Sequence, residues 1–213
     1  MTNWGPYVLC ALAVAGLLWA EYRGSRPGLW LTKPLASAAF IWAGLAAGAL
    51  DSPYGHWVLL GLLLCLLGDL LLIPIDRPGV FRAGVFAFLA GHVAYSAAFM
   101  TRPLDGFGLA AGAILLAVVV GGVLRWLGGS LPQGMVWPVR IYMIVIGVMA
   151  TLACGVTAAG GPWAVAVGAL AFTASDISVA RDRFARHEFL NRAWGLPLYY
   201  GAQLLIASTP TLV

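Results

Sequence analysis

An all-α, polytopic membrane protein is the fold class this sequence predicts, and three observations carry the prediction. Of 213 residues, 62% are hydrophobic and only 9% charged, whereas soluble chains carry roughly 25% charged residues. The apolar stretches are continuous, which disfavours a transmembrane β-barrel with its alternating pattern. The breaks between stretches are short, so neighbouring helices should pack antiparallel in a single membrane domain, 1–213. At about 20 apolar residues per span, that length holds eight transmembrane helices and no separate soluble domain.

Taken in order, the expected spans are about 5–20, 33–50, 57–75, 81–100, 107–127, 137–157, 162–180 and 193–210. The first has no basic region ahead of it and is expected to remain uncleaved. Turn formers and charges mark the breaks: Glu21 to Pro27, Asp51-Ser52-Pro53, Asp76-Arg77-Pro78-Gly79, Arg102-Pro103, Gly128 to Gly134, Gly160-Gly161-Pro162 and Arg181 to Arg192. Cys10, Cys65 and Cys154 each lie within an apolar run and read as small buried hydrophobes, their odd number excluding a closed disulfide set.

Eleven of the twelve Lys and Arg residues fall in or beside breaks one, three, five and seven, and Arg102 alone lies on the other side. Because cytoplasmic loops retain cations, both termini are expected outside. The expected location is a bacterial inner membrane. Cationic loops against anionic headgroups account for the net charge of +4. No basic element is large enough to follow a phosphate backbone, so nucleic acid is excluded as a partner.

Two halves look alike. Gly68-Asp69 and Ser175-Asp176 each end a span and precede a basic break and an aromatic-rich span, while Trp30, Lys33 and Pro34 resemble Trp137, Pro138 and Arg140. A 4+4 parallel repeat is the architecture this suggests.

Ionisable groups within spans are costly enough to mark function. By helix rise, Asp69 lies about 9 Å and Asp176 about 6 Å below the cytoplasmic boundary, and His92 about 16 Å down. Lys33 and Arg140 are expected to start spans two and six, with Tyr199 and Tyr200 on span eight. His92 and Tyr95 share a face of span four with large rings, as do Tyr199 and Gln203 on span eight. The expectation is an aromatic-walled slot with two carboxylates near its mouth. A single intramembrane Asp can merely bond a cation or cap a helix, but two at matching depth point to function. His92 can equally be an interhelical donor, and Tyr199, Tyr200 and Trp137 interfacial belt residues. The run Arg181 to Glu188 reads as a solvated loop. No cysteine and histidine pair has metal-ligand spacing.

Together, Gly68-Asp69-Leu70-Leu71-Leu72 with Phe81, Gly84, Phe88, His92 and Tyr95, then Ser175-Asp176, Phe184 and Tyr199-Tyr200-Gly201-Ala202-Gln203, resemble the YhhN-like family of transmembrane lysoplasmalogenases. Lys33-Pro34 matches a third element, and the resemblance covers about 30 to 205. It implies hydrolysis of a lysophospholipid vinyl ether to a fatty aldehyde and a glycerophospho-base, with no cofactor or metal. Such hydrolysis requires one protonated acid and one ionised group. Depth along the spans assigns Asp69 as acid and Asp176 as base, with Lys33 and Arg140 on the phosphate and the ring-lined slot around the chain. The alternative from the residues alone is a proton-coupled carrier of a lysolipid or small solute, since intramembrane Asp, His and Tyr also build proton relays. Aldehyde release separates the two.

Overall fold

Continuous apolar sequence folds in a membrane as helices because every backbone polar group must be satisfied within the segment. The computed structural model describes residues 4–74 and 77–212. It contains α1 (Gly5–Arg23), α2 (Arg26–Ala46), α3 (Pro53–Leu71), α4 (Pro78–Met100), α5 (Gly106–Leu127), α6 (Val136–Ala158), α7 (Trp163–Phe184) and α8 (Phe189–Ala207). The expected span end at Ile75 and the break residue Asp76 lie outside the described residues.

The turn formers act as helix signals for local reasons. Proline occupies the first turn of α1 to α4, where its missing N–H costs nothing. Ser25, Ser52 and Asp105 cap α2, α3 and α5 by accepting from Gly28 N, Gly55 N and Gly108 N at 3.3, 3.0 and 2.7 Å.

Three boundaries differ from the sequence expectation in ways that matter for the site. Capping at Ser25 starts α2 seven residues early, so Lys33 lies two turns inside the helix and is buried. α3 ends at Leu71, placing Asp69 in its last turn. α7 runs on through Arg181, Asp182 and Arg183 to Phe184, so these charges are helical and not a loop; helix formation needs no apolar residues once the terminal groups find partners.

Seven helices are long and apolar enough to cross a membrane, α1 to α7. α8 falls below that hydropathy because its inner face carries Asn191, Tyr199, Tyr200 and Gln203, all buried. One hydrophobic cluster draws on all eight helices. Exposed rings gather at both ends of the bundle, with Trp19, Tyr22, Trp30, Trp126 and Trp137 at one and Trp4, Phe107 and Trp163 at the other, as interfacial belts do.

Packing repeats with the halves. α1 pairs with α2 as α5 does with α6, α2 with α3 as α6 with α7, and α3 with α4 as α7 with α8. The halves meet where α1 and α2 pack on α8 and α6 on α4. The residues follow a constant offset of 107 positions, matching Trp30 with Trp137, Lys33 with Arg140, Asp69 with Asp176 and His92 with Tyr199.

Small residues allow the tight α3 and α4 pair. A Cβ on Gly61 would run into the Tyr95 ring, and one on Gly68 would meet Phe88 Cε2 at 2.6 Å. Gly61→Ala is therefore expected to lower unfolding stability in detergent by about 1–3 kcal/mol, the usual cost of overpacking, as measured by thermal denaturation. An unchanged midpoint would show that the Tyr95 ring moves aside freely.

Candidate functional site

The end of the bundle that carries most of its Lys and Arg residues holds a cavity of about 480 Å³. Lys33 of α2, Asp69 of α3, Phe88 of α4, Tyr142 of α6, Asp176 of α7 and Tyr199 of α8 all line it. The two carboxylates thus share one chamber although they sit 107 positions apart.

Their surroundings differ. Asp69 Oδ2 accepts from Ser37 Oγ at 2.7 Å and from Tyr199 Oη at 2.8 Å, while Lys33 Nζ lies 3.8 Å from Oδ1. Ser37 has the Lys33 carbonyl as an alternative acceptor at 3.0 Å. Tyr200, buried next to this group, has a hydroxyl without a hydrogen-bond partner. Two donors and an ammonium suit an ionised carboxylate, which accepts only.

Asp176 has no Lys or Arg within ion-pair distance among the described residues. Its Oδ2 accepts from Tyr142 Oη at 2.8 Å and lies 3.5 Å from His92 Nε2. His92 Nδ1 is 2.7 Å from the Phe88 carbonyl, which can only accept, so Nδ1 carries hydrogen and Nε2 is the nitrogen turned towards the carboxylate. A neutral imidazole and an ionised Asp176 would set two lone pairs face to face. Nε2 makes no hydrogen bond among the described residues, and a proton on Oδ2 directed at it would remove that conflict. His92 itself is fully buried and does not reach the cavity.

Each carboxylate is faced by a residue of the opposite half, Tyr199 hydrogen-bonded to Asp69 and His92 standing 3.5 Å from Asp176, at equivalent positions of α8 and α4. Phe172 joins the two sides, its ring centroid 4.4 Å from that of His92 and 5.3 Å from that of Tyr199. Phe88 closes the wall edge-on to Tyr199 at 5.8 Å.

The remaining sequence candidates lie elsewhere. Tyr95 donates to Gln203 Oε1 at 2.6 Å in a fully buried layer beyond the cavity wall, and Gln203 Nε2 has no partner. Arg140 is exposed, its guanidinium 5.4 Å from the Trp137 ring centroid and outside the cavity lining. It stands five residues into α6 on an outward face, and the phosphate-holding role expected of it is not supported. Sequence reading missed Ser37 and Tyr142. Ser37 is one turn after Lys33 on the expected second span, a signal that i, i+4 spacing already offered; Tyr142 offers no comparable signal. Among the described residues no group of three His, Cys, Asp or Glu side chains is placed to hold a metal ion.

Comparison with known proteins shows the family. The YhhN family model matches residues 28–209. Lysoplasmalogenase TMEM86A of Bos taurus is 34% identical over 164 residues, covering 74% of this chain and 66% of that protein. Lysoplasmalogenase TMEM86B of Mus musculus is 33% identical over 209 residues, with 94% and 83% covered. The lysoplasmalogenase of Mycobacterium tuberculosis is 30% identical over 176 residues, with 77% and 65% covered. The chain thus spans about two thirds of the length of the first of these relatives. No solved structure matches significantly.

The Tyr199 bond is testable as a charge-assisted contact. Tyr199→Phe is expected to cost about 1.5–3 kcal/mol of stability, and less than half as much when Asp69 is already Asn. Equal costs in both backgrounds, from a double-mutant cycle of thermal denaturation, would show that the hydroxyl does not serve the carboxylate.

Proposed function

Because the chain belongs to the YhhN family, we propose that it is a membrane-embedded hydrolase that cleaves the vinyl ether bond of lysoplasmalogens. The names of the family relatives supply the substrate class. The observation that carries the chemistry is the pair of carboxylates with unlike partners in one aromatic-walled cavity.

The division of roles follows from those partners. Asp176, sharing a proton with His92, delivers it to the β-carbon of the vinyl ether and leaves an oxocarbenium ion. Asp69, ionised beside Lys33, steadies that cation and takes a proton from the water that attacks the α-carbon. Its Oδ1, contacted only by Lys33, is the oxygen open to that water. In the collapse of the hemiacetal, Asp69 returns its proton to the departing glycerol oxygen and Asp176 accepts the hemiacetal proton. A fatty aldehyde and a glycerophospho-base leave, and both carboxyls regain their starting states. This assignment is opposite to the one that depth along the spans suggests. Depth loses its force because α3 ends at Leu71 and α7 continues to Phe184.

The substrate lies in the membrane with its chain among Val85, Phe88 and Val139. Its linkage lies just beneath the headgroup, at the level of the two Asp. The cationic distribution supports an orientation with both termini away from the cytoplasm and the cavity mouth towards it.

Asp69→Asn and Asp176→Asn are each expected to lower aldehyde release by at least about 10²-fold, the low end of what one acid or base supplies, with folding retained. Turnover in the parent protein should rise with pH as Asp69 ionises and fall as the Asp176 and His92 pair loses its proton. The residual rate of the Asp176→Asn protein should lack the alkaline limb. Loss of that limb in the Asp69→Asn protein instead would reverse the roles, and near-full activity in either would make that residue structural.

Orientation has its own test. A cysteine at exposed Ala185 should react with an impermeant maleimide in inverted membrane vesicles and not in intact cells. Labelling in intact cells contradicts the orientation.

A further inference from the structure

We propose that Arg192, with Arg183 at the same cavity mouth, binds the phosphate of the lysolipid headgroup, and that Glu21 and Asp182 are the residues that position Arg192. The inference rests on the hydrolase reading for its ligand class, and it replaces Arg140 as the expected phosphate contact.

Arg192 is held on part of its guanidinium only. Its Nε lies 3.5 Å from Glu21 Oε2, and its Nη2 lies 2.9 Å from Asp182 Oδ2 and 3.1 Å from His187 Nε2, a ring that also contacts Asp182 Oδ2. Asp182 is itself fixed, its Oδ1 accepting from Asn191 Nδ2 at 3.1 Å and from Glu188 N at 3.2 Å. Nη1 takes part in none of the described contacts, although the side chain lines the cavity. A guanidinium has five N–H donors in a rigid fork, so two carboxylates that occupy one edge fix the direction of the rest. Such a clamp presents a preoriented pair of donors, the geometry that suits a phosphate.

Arg183 is held differently. Its guanidinium stacks 4.3 Å from the Phe81 ring centroid, a contact that fixes the plane and uses no N–H. Among the described residues it has no carboxylate partner. A phosphate between two such arginines satisfies donors that otherwise have only water.

The register matches the substrate. Arg183 is seven residues beyond Asp176 on α7, and Arg192 is seven residues before Tyr199 on α8. Seven residues are nearly two turns, so each arginine shares a face with its site residue and lies about 10.5 Å along the axis. In a lysoplasmalogen the vinyl ether carbon and the phosphorus are separated by roughly six bonds, or about 7 Å of zigzag chain. Side-chain reach at either end makes up the difference. Glu21 belongs to α1, which precedes the residues matched by the family model. The clamp is thus completed by a helix outside the matched segment.

The test measures binding, so it does not depend on turnover. The full chain in nonionic detergent is titrated with a saturated 1-O-alkyl glycerophosphocholine, with the 1-O-alkylglycerol lacking the phosphate, and with inorganic phosphate. Arg192→Gln should weaken the phospholipid analogue by about tenfold or more, the loss expected for hydrogen bonds to a charged group, and leave the alkylglycerol within about twofold. Arg192→Lys should restore part of the loss, and Glu21→Gln should give an intermediate one. Arg183→Gln alters an exposed residue that no hydrogen bond ties to the fold, and it should show the same selective loss even where Arg192→Gln does not fold. Equal weakening of both lipids, or none, overturns the proposal. Inorganic phosphate binding as tightly as the lipid analogue overturns the headgroup assignment in favour of a free anion. Failure of the unmodified protein to release aldehyde would sink the hydrolase reading and leave this binding result standing.

Discussion

A carboxylate within a membrane helix must be given donors and a counter-charge by its neighbours, and the need to satisfy Asp69 organises this molecule. Lys33 and Ser37 reach it from α2 and Tyr199 from α8. Two further helices, α2 and α8, are thereby fixed around the last turn of α3. An unpaired buried charge costs several kcal/mol, so this set of contacts is demanding about geometry in a way that contacts among Leu and Val side chains are not.

The second carboxylate has the same framework with different chemistry. Asp176 occupies the position equivalent to Asp69 and takes its contact from the position equivalent to Tyr199, yet that position holds His92. Where the first half has a buried lysine, the second has Arg140, exposed and stacked on Trp137. A repeated scaffold with unlike contacts is a direct route to the two carboxyl groups in opposite protonation states that the proposed vinyl ether hydrolysis needs. Packing supports the division, since the halves touch through α1 and α2 with α8 and α4 with α6.

Composition and hydropathy made the helices legible, because burial in lipid depends on continuous apolar length. They also singled out Asp69, Asp176, Lys33, His92 and Tyr199, since ionisable or hydroxylated groups stand out in such sequence. Boundaries were less legible. The start of α2 is set by the Ser25 cap and the continuation of α7 by polar contacts of Asp182, and neither changes hydropathy. Those shifts moved Lys33 from a helix end into the core and removed the depth argument for acid and base. Ser37 and Tyr142 escaped notice because a serine or tyrosine in a span is common, and only three-dimensional proximity to a carboxylate gives it a role. The partners of Arg192 were equally hidden, since Glu21 and Asp182 come from opposite ends of the chain.

The central claim is that protein acid delivers a proton to carbon before water attacks. Turnover of a lysoplasmalogen by the purified protein in D₂O tests it most directly, because that proton becomes a permanent label. The account predicts an aldehyde with one deuterium on the carbon next to the carbonyl, formed together with an equal amount of glycerophospho-base. Aldehyde released without deuterium at that carbon, or substrate moved across the membrane with no aldehyde formed, would contradict it.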